Sequence, residues 1–197
     1  MRFYVADREA REIAISVFAI AIALAVANVG IAGLLSQPGA AVFLISFFLA
    51  TVGIGFIFHE LAHKVVANFF GAAAEFRMWA EGIAFMLVFS LLGFVFAAPG
   101  AVYIYSPYLT KKENGVISLA GPFTNLALAG IFLALAFVSP LSFGSMNAWL
   151  WGSRINIFLA LFNLIPIYPL DGSKVMGWNF LIWLLFALIS FALFAVV

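Results

Sequence analysis

Apolar residues in this chain fall in long continuous runs, without the two-residue alternation of a half-buried strand or the one-sided stripe of a soluble helix. The runs cover 13–35, 41–71, 82–105, 116–138, 148–168 and 177–197. Each approaches or exceeds the ~20 residues that cross a hydrocarbon core about 30 Å thick, so five or six crossings are predicted. Turn-forming stretches separate them: SQPG at 36–39, KKENG at 111–115, SPLSFGS at 139–145 and PLDGSK at 169–174. No internal repeat and no soluble module larger than a loop interrupts the series, so residues 1–197 read as one membrane-embedded domain. The first run, at 23 residues, is too long for the apolar region of a signal peptide and reads as a retained span.

The polar positions between the runs orient them. Arg2, Arg8 and Arg11 precede the first run, which favours a cytoplasmic N-terminus. The second run then travels inward and brings Lys64 and Arg77 to the inner side. A full crossing at 82–105 would leave Lys111 and Lys112 outside, whereas a re-entrant segment keeps them inside. Gly93, Pro99 and Gly100 break that run, and EFRMW (75–79) and AVYIY (101–105) have strand-like composition. The expected architecture is therefore an all-α polytopic membrane protein. It has five full transmembrane helices and a re-entrant or hairpin segment, with a small β-hairpin or sheet around 75–105.

Composition agrees with the pattern: 66% of residues are hydrophobic and 9% charged, with a mean hydropathy of +1.20. A net charge of +1 gives no electrostatic case for nucleic acid. The absence of cysteine excludes disulfides, thiol nucleophiles and thiolate metal sites.

Against this background the stretch FHELAH, 58–63, stands out. His59 and His63 lie four residues apart, so on a helix they share a face and can hold one ion, and Glu60 between them can act as a base on water. They are the only two histidines in the chain. A glutamate inside a span costs about 2.5 kcal/mol or more unless it is partnered, which makes it a functional candidate. A catalytic zinc takes three protein ligands and leaves a position open. With cysteine absent and histidine exhausted, a carboxylate is the natural third, from among Asp7, Glu9, Glu12, Glu75, Glu81, Glu113 and Asp171. Asp171 is favoured, because it closes the apolar stretch FNLIPIYPLDG (162–172), where Pro166 and Pro169 break the helix beside the membrane core, while most of the others sit in polar loops or the charged N-terminus.

Depth supplies a check. His59 lies 18 residues past Ala41, hence ~27 Å along a continuous helix and toward the inner side. Asp171 reaches that side only if 82–105 does not cross, the parity that the charges also favour.

Three segments, F-H-E-L-A-H (58–63), A-G-P-F-T-N (120–125) and N-L-I-P-I-Y-P-L-D-G (163–172), together resemble the site-2 proteases, zinc metallopeptidases that cut membrane-spanning segments. The resemblance anchors a catalytic core over 41–172. It implies His59, His63 and Asp171 as ligands of one zinc ion per chain and Glu60 as general acid/base. It also places Asn125 and Asn163 at positions associated with substrate backbone or the developing oxyanion, although an amide in a span can equally serve helix packing. The loop at 139–147 is too short for the PDZ module that some members insert, and 83–96 is more apolar than the family's hairpin region.

The expected activity is hydrolysis of peptide bonds within or near transmembrane segments, at the cytoplasmic side of a multi-pass protein of the cell membrane. Its partners would be a transmembrane protein or peptide substrate and the lipid bilayer, with no nucleic acid. A metal-ion or proton transporter using the same His, Glu and Asp cluster is the alternative. An aspartyl mechanism has only Asp7 and Asp171 to draw on.

Overall fold

The computed structural model describes residues 4–95, 99–106, 108–139, 141–143 and 146–197. They fold into two compact units: Arg2–Ile57 with Glu75–Tyr103, and Phe58–Ala74 with Ile104–Val197.

The first unit opens with α1 (Asp7–Ser36) and α2 (Pro38–Phe48), which pack on each other. Pro38 takes a first-turn position, where its missing N–H costs nothing. A π-helical turn, Leu49–Gly53, continues α2 into α3 (Ile54–Phe69), giving one 32-residue helix over Pro38–Phe69. The turn packs on α1 at Gly53, where a Cβ would stand 2.8 Å from the Val17 side chain.

Strand β1 (Ala73–Met78) pairs with β2 (Gly100–Tyr105) in a two-stranded sheet, and α4 (Ala80–Ser90) lies between them in sequence and packs on α1. Phe76 is fully buried with Ile13 and Val17, and Phe56 meets its ring edge-on at 5.8 Å. Two α1 carboxylates bind backbone N–H groups of β1. Glu9 Oε1 accepts from Phe76 at 3.0 Å, and Glu12 Oε2 accepts from Met78 at 2.9 Å. One helical face thus serves alternate strand residues as a neighbouring strand's carbonyls would.

The second unit is built on α5 (Lys111–Val138), whose start is fixed by a reciprocal capping box between Thr110 and Glu113. A two-residue ladder, β3 (Ser142–Phe143) with β4 (Met146–Asn147), leads into α6 (Ala148–Asn163). A non-helical stretch then carries the chain to α7 (Asp171–Trp178) and α8 (Phe180–Val196). Helix α5 packs against α6 and α7, and both of those pack against α8. Gly115 admits α7 closely, since a Cβ there would run into the Trp178 side chain.

Among the described residues, three helices are long and apolar enough to cross a membrane: Asp7–Ser36, Pro38–Phe69 and Lys111–Val138. The sheet expected around 75–105 is present. Helix α4, which enters 82–105 from Ala80, has 11 residues, about 17 Å of rise and well short of a ~30 Å core. Helices α6 and α8 are 16 and 17 residues long. The expected six-segment pattern is thus shorter and more broken than the apolar runs suggest. Part of the hydrophobicity at 82–105 goes into a short helix and a strand.

Candidate metal centre

The site lies within the second unit, where α3, α5, α6 and α7 each contribute. Helix α3 presents His59 and His63 from successive turns, with their rings at 82° to each other and their Nε2 atoms 3.0 Å apart. Helix α7 begins at Asp171, and its Oδ2 lies 3.3 Å from His59 Nε2 and 3.1 Å from His63 Nε2. The position of Asp171 follows from the chain just before it. Helix α6 stops at Asn163, and the Trp183 indole donates to the Leu164 carbonyl at 2.8 Å. A Cβ on Gly172 would collide with the Leu164 backbone, so this turn requires glycine. Lys174 Nζ stands 3.8 Å from Asp171 Oδ1 on the first turn of α7.

The three donor atoms fit a single metal ion. Ligands at zinc-like bond lengths of ~2.0–2.1 Å in a tetrahedron are separated by roughly 3.3 Å, and the observed edges of 3.0, 3.1 and 3.3 Å are close to that. Among the described residues these three form the His/Asp/Glu group able to hold a metal. Gly121 of α5 faces the two imidazoles, and a Cβ there would lie 2.5 Å from both Nε2 atoms. The α5 backbone therefore leaves space beside the donors that any side chain would fill. Pro122 follows inside the helix, where it cannot donate the helical hydrogen bond.

Both histidines are oriented through Nδ1. His63 Nδ1 donates to the Ile117 carbonyl at 2.7 Å, and His59 Nδ1 donates to Asn125 Oδ1 at 2.6 Å. These bonds leave Nε2 of each ring as the metal-facing atom. The Asn125 amide in turn donates to Asn156 Oδ1 at 3.0 Å. Asn125 and Asn156 are 0% exposed, so both amides work inside the helix packing.

The residues singled out from sequence are thus distributed unequally. His59, His63 and Asp171 converge, and Glu60 is buried on the same helical turn. Asn125 reaches the site through His59, while Asn163 turns back to donate to its own helix at the Leu159 carbonyl, 3.0 Å away. Lys64, read as an inner-face marker, is buried. Sequence reasoning passed over Asn156 and the spatial role of Gly121. The signal for Asn156 was available, since it lies two helical turns before Asn163 in NIFLALFN and is equally expensive in a span.

A protein of Methanocaldococcus jannaschii named as a candidate zinc metalloprotease, MJ0611, is 48% identical over 185 residues, covering 92% of this chain and 90% of its own. This chain belongs to the same family of zinc metalloproteases. Two further members carry zinc-metalloprotease names. YwhC of Bacillus subtilis is 31% identical over 67% of this chain and 68% of its own. Rip3 of Mycobacterium tuberculosis is 36% identical over 70% of this chain and 30% of its greater length. A solved site-2 protease from Methanocaldococcus jannaschii aligns over 81% of this chain and 79% of its own, with 16% identity and a TM-score of 0.49. No family model matches the chain. Membership supports a metalloprotease and implies zinc as the metal.

Proposed function

We propose that the protein is an intramembrane zinc metalloprotease that hydrolyses peptide bonds within or near transmembrane segments of membrane-protein substrates. The observation that carries this reading is the closure of His59 Nε2, His63 Nε2 and Asp171 Oδ2 to 3.0–3.3 Å, with a glutamate on the same helical turn. In this reading those three side chains hold one zinc ion. Held there, zinc would supply Lewis-acid chemistry, polarising a carbonyl and lowering the pKa of water so that a hydroxide nucleophile is available near neutral pH.

Glu60 takes the proton from the attacking water and returns it to the departing amine nitrogen. Ile117 and Asn125 keep the imidazoles turned toward the ion. Gly121 keeps the approach clear. A helical substrate has its carbonyls engaged and must be opened before attack. An opened segment can be held by strand addition. In β1 the N–H groups of Phe76 and Met78 are already taken by Glu9 and Glu12, which leaves β2 as the better strand for that purpose.

The membrane arrangement in this reading is five crossings, formed by α1, Pro38–Phe69, α5, α6 and α8. Residues 82–105 do not cross, the N-terminus is cytoplasmic, and the zinc site lies toward that face. The test is purified protein with a candidate membrane peptide, measured beside Glu60→Gln. The variant should retain zinc and lose cleavage by on the order of a hundredfold or more, since a general base typically contributes 10²–10⁴-fold. Retained cleavage would sink the assignment. Zinc-dependent ion flux without cleavage would favour the transporter reading.

A further inference from the structure

The two histidines have their polarity fixed by different routes. His63 Nδ1 faces the Ile117 carbonyl, which can only accept, so that nitrogen carries the ring proton and Nε2 keeps its lone pair for a metal. His59 Nδ1 faces a side-chain amide, and an amide can turn either end toward it. If Asn125 turned its nitrogen inward, His59 would be driven to the other tautomer, with Nε2 protonated and unable to bind the ion. The bond to His59 does not choose between these states, because each is internally consistent. The choice has to come from beyond Asn125.

It comes from α6. Asn125 Nδ2 donates to Asn156 Oδ1 at 3.0 Å, and Asn156 Nδ2 donates to the Gly152 backbone carbonyl at 2.9 Å. That carbonyl has one polarity only. Turning Asn156 over would set its oxygen against the Gly152 oxygen. Turning Asn125 over would set its oxygen against that of Asn156. Polarity therefore passes from Gly152 through Asn156 and Asn125 to His59, with both amides at 0% exposure and away from competing bulk water.

We propose that Asn156 is a positioning residue of this site, acting through Asn125 to hold His59 in the tautomer whose Nε2 binds metal. The inference deepens the zinc-protease reading and rests on it for its functional meaning. Simple interhelical packing, the other role open to a buried amide, is satisfied by either orientation and makes no demand on the His59 tautomer.

The test uses nuclear magnetic resonance of the full chain carrying nitrogen-labelled histidine in detergent, together with zinc affinity by chelator competition. Only two histidines contribute, and His63, tied directly to a carbonyl, is the internal reference. In the wild type both Nδ1 atoms should carry a proton, with zinc bound or chelated. In Asn156→Leu, His63 should keep its pattern while chelated His59 shows mixed tautomers, and zinc affinity should fall roughly 10–100-fold, the usual loss for a partner behind a ligand. Adding Asn125→Asp to that variant should restore both, because a carboxylate accepts from Nδ1–H whichever way it faces. The proposal is overturned by a wild-type His59 protonated on Nε2 alone, or by Asn156→Leu with unchanged tautomer and unchanged affinity. Should Asn156→Leu fail to fold, the wild-type tautomer and the double variant decide the matter. A wild type that binds no zinc removes the protease reading, while the protonation of Nδ1 still tests the relay.

Discussion

At the scale of single residues, the site depends on what is missing as much as on what is present. Gly121 stands where any Cβ would press on both ligand nitrogens at 2.5 Å. Gly121→Ala should therefore abolish zinc binding, read by metal content after purification, while the α5 helix, which alanine favours over glycine by about 0.8–1 kcal/mol, keeps its content by circular dichroism. Unchanged metal content would show that the Gly121 face is not the open side of the site. His63→Ala should remove metal too, and it leaves the Ile117 carbonyl without the donor it has at 2.7 Å. Loss of that hydrogen bond costs about 0.5–1.5 kcal/mol, so a lower unfolding temperature should accompany the lost zinc.

At the scale of elements, carboxylates and small residues do work that apolar matching cannot. Glu9 is buried at 1% exposure and accepts from the Phe76 N–H. Glu9→Gln retains an acceptor oxygen, whereas Glu9→Ala strands the amide. Thermal unfolding should separate them, with the alanine variant lower by about 1–3 kcal/mol and the glutamine variant closer to wild type. Ser153 behaves in the opposite sense. Its hydroxyl is fully buried in α6 and has no hydrogen-bond partner among the described residues. Ser153→Ala removes an unsatisfied polar atom and should leave unfolding unchanged or raise it by up to about 1 kcal/mol.

At the scale of the whole molecule, the membrane arrangement and the metal give separate readouts. The chain has no cysteine, so Asn114→Cys introduces a single reporter just ahead of the apolar part of α5. Impermeant thiol reagents should label it from the cytoplasmic side only. Labelling from outside alone would make 82–105 a crossing segment and reverse the orientation of everything after it. Zinc should also stabilise the fold by mass action, by about 2.7 kcal/mol at a free concentration one hundred times its dissociation constant. Chelation should lower the unfolding temperature of the wild type and leave that of Gly121→Ala unaffected.

The sequence by itself determined the mostly helical, apolar character of the chain and which side chains could hold a metal. Long apolar runs leave few solutions other than membrane helices, and two histidines one helical turn apart with a glutamate between them already share a face. Asp171 could be named because cysteine was absent, histidine was exhausted and prolines marked the break before it. The paired strands were also visible, in β-rich composition flanked by glycine and proline. These are local properties, set by spacing of a few residues along one backbone. The direction of each amide was not legible, because Asn125 and Asn156 lie 31 residues apart and an amide's polarity follows from partners that only packing assembles. The same reason hid the steric role of Gly121 and the burial of Lys64. Only tertiary structure decides which groups become neighbours, and hydrogen-bond polarity and steric room exist only between neighbours.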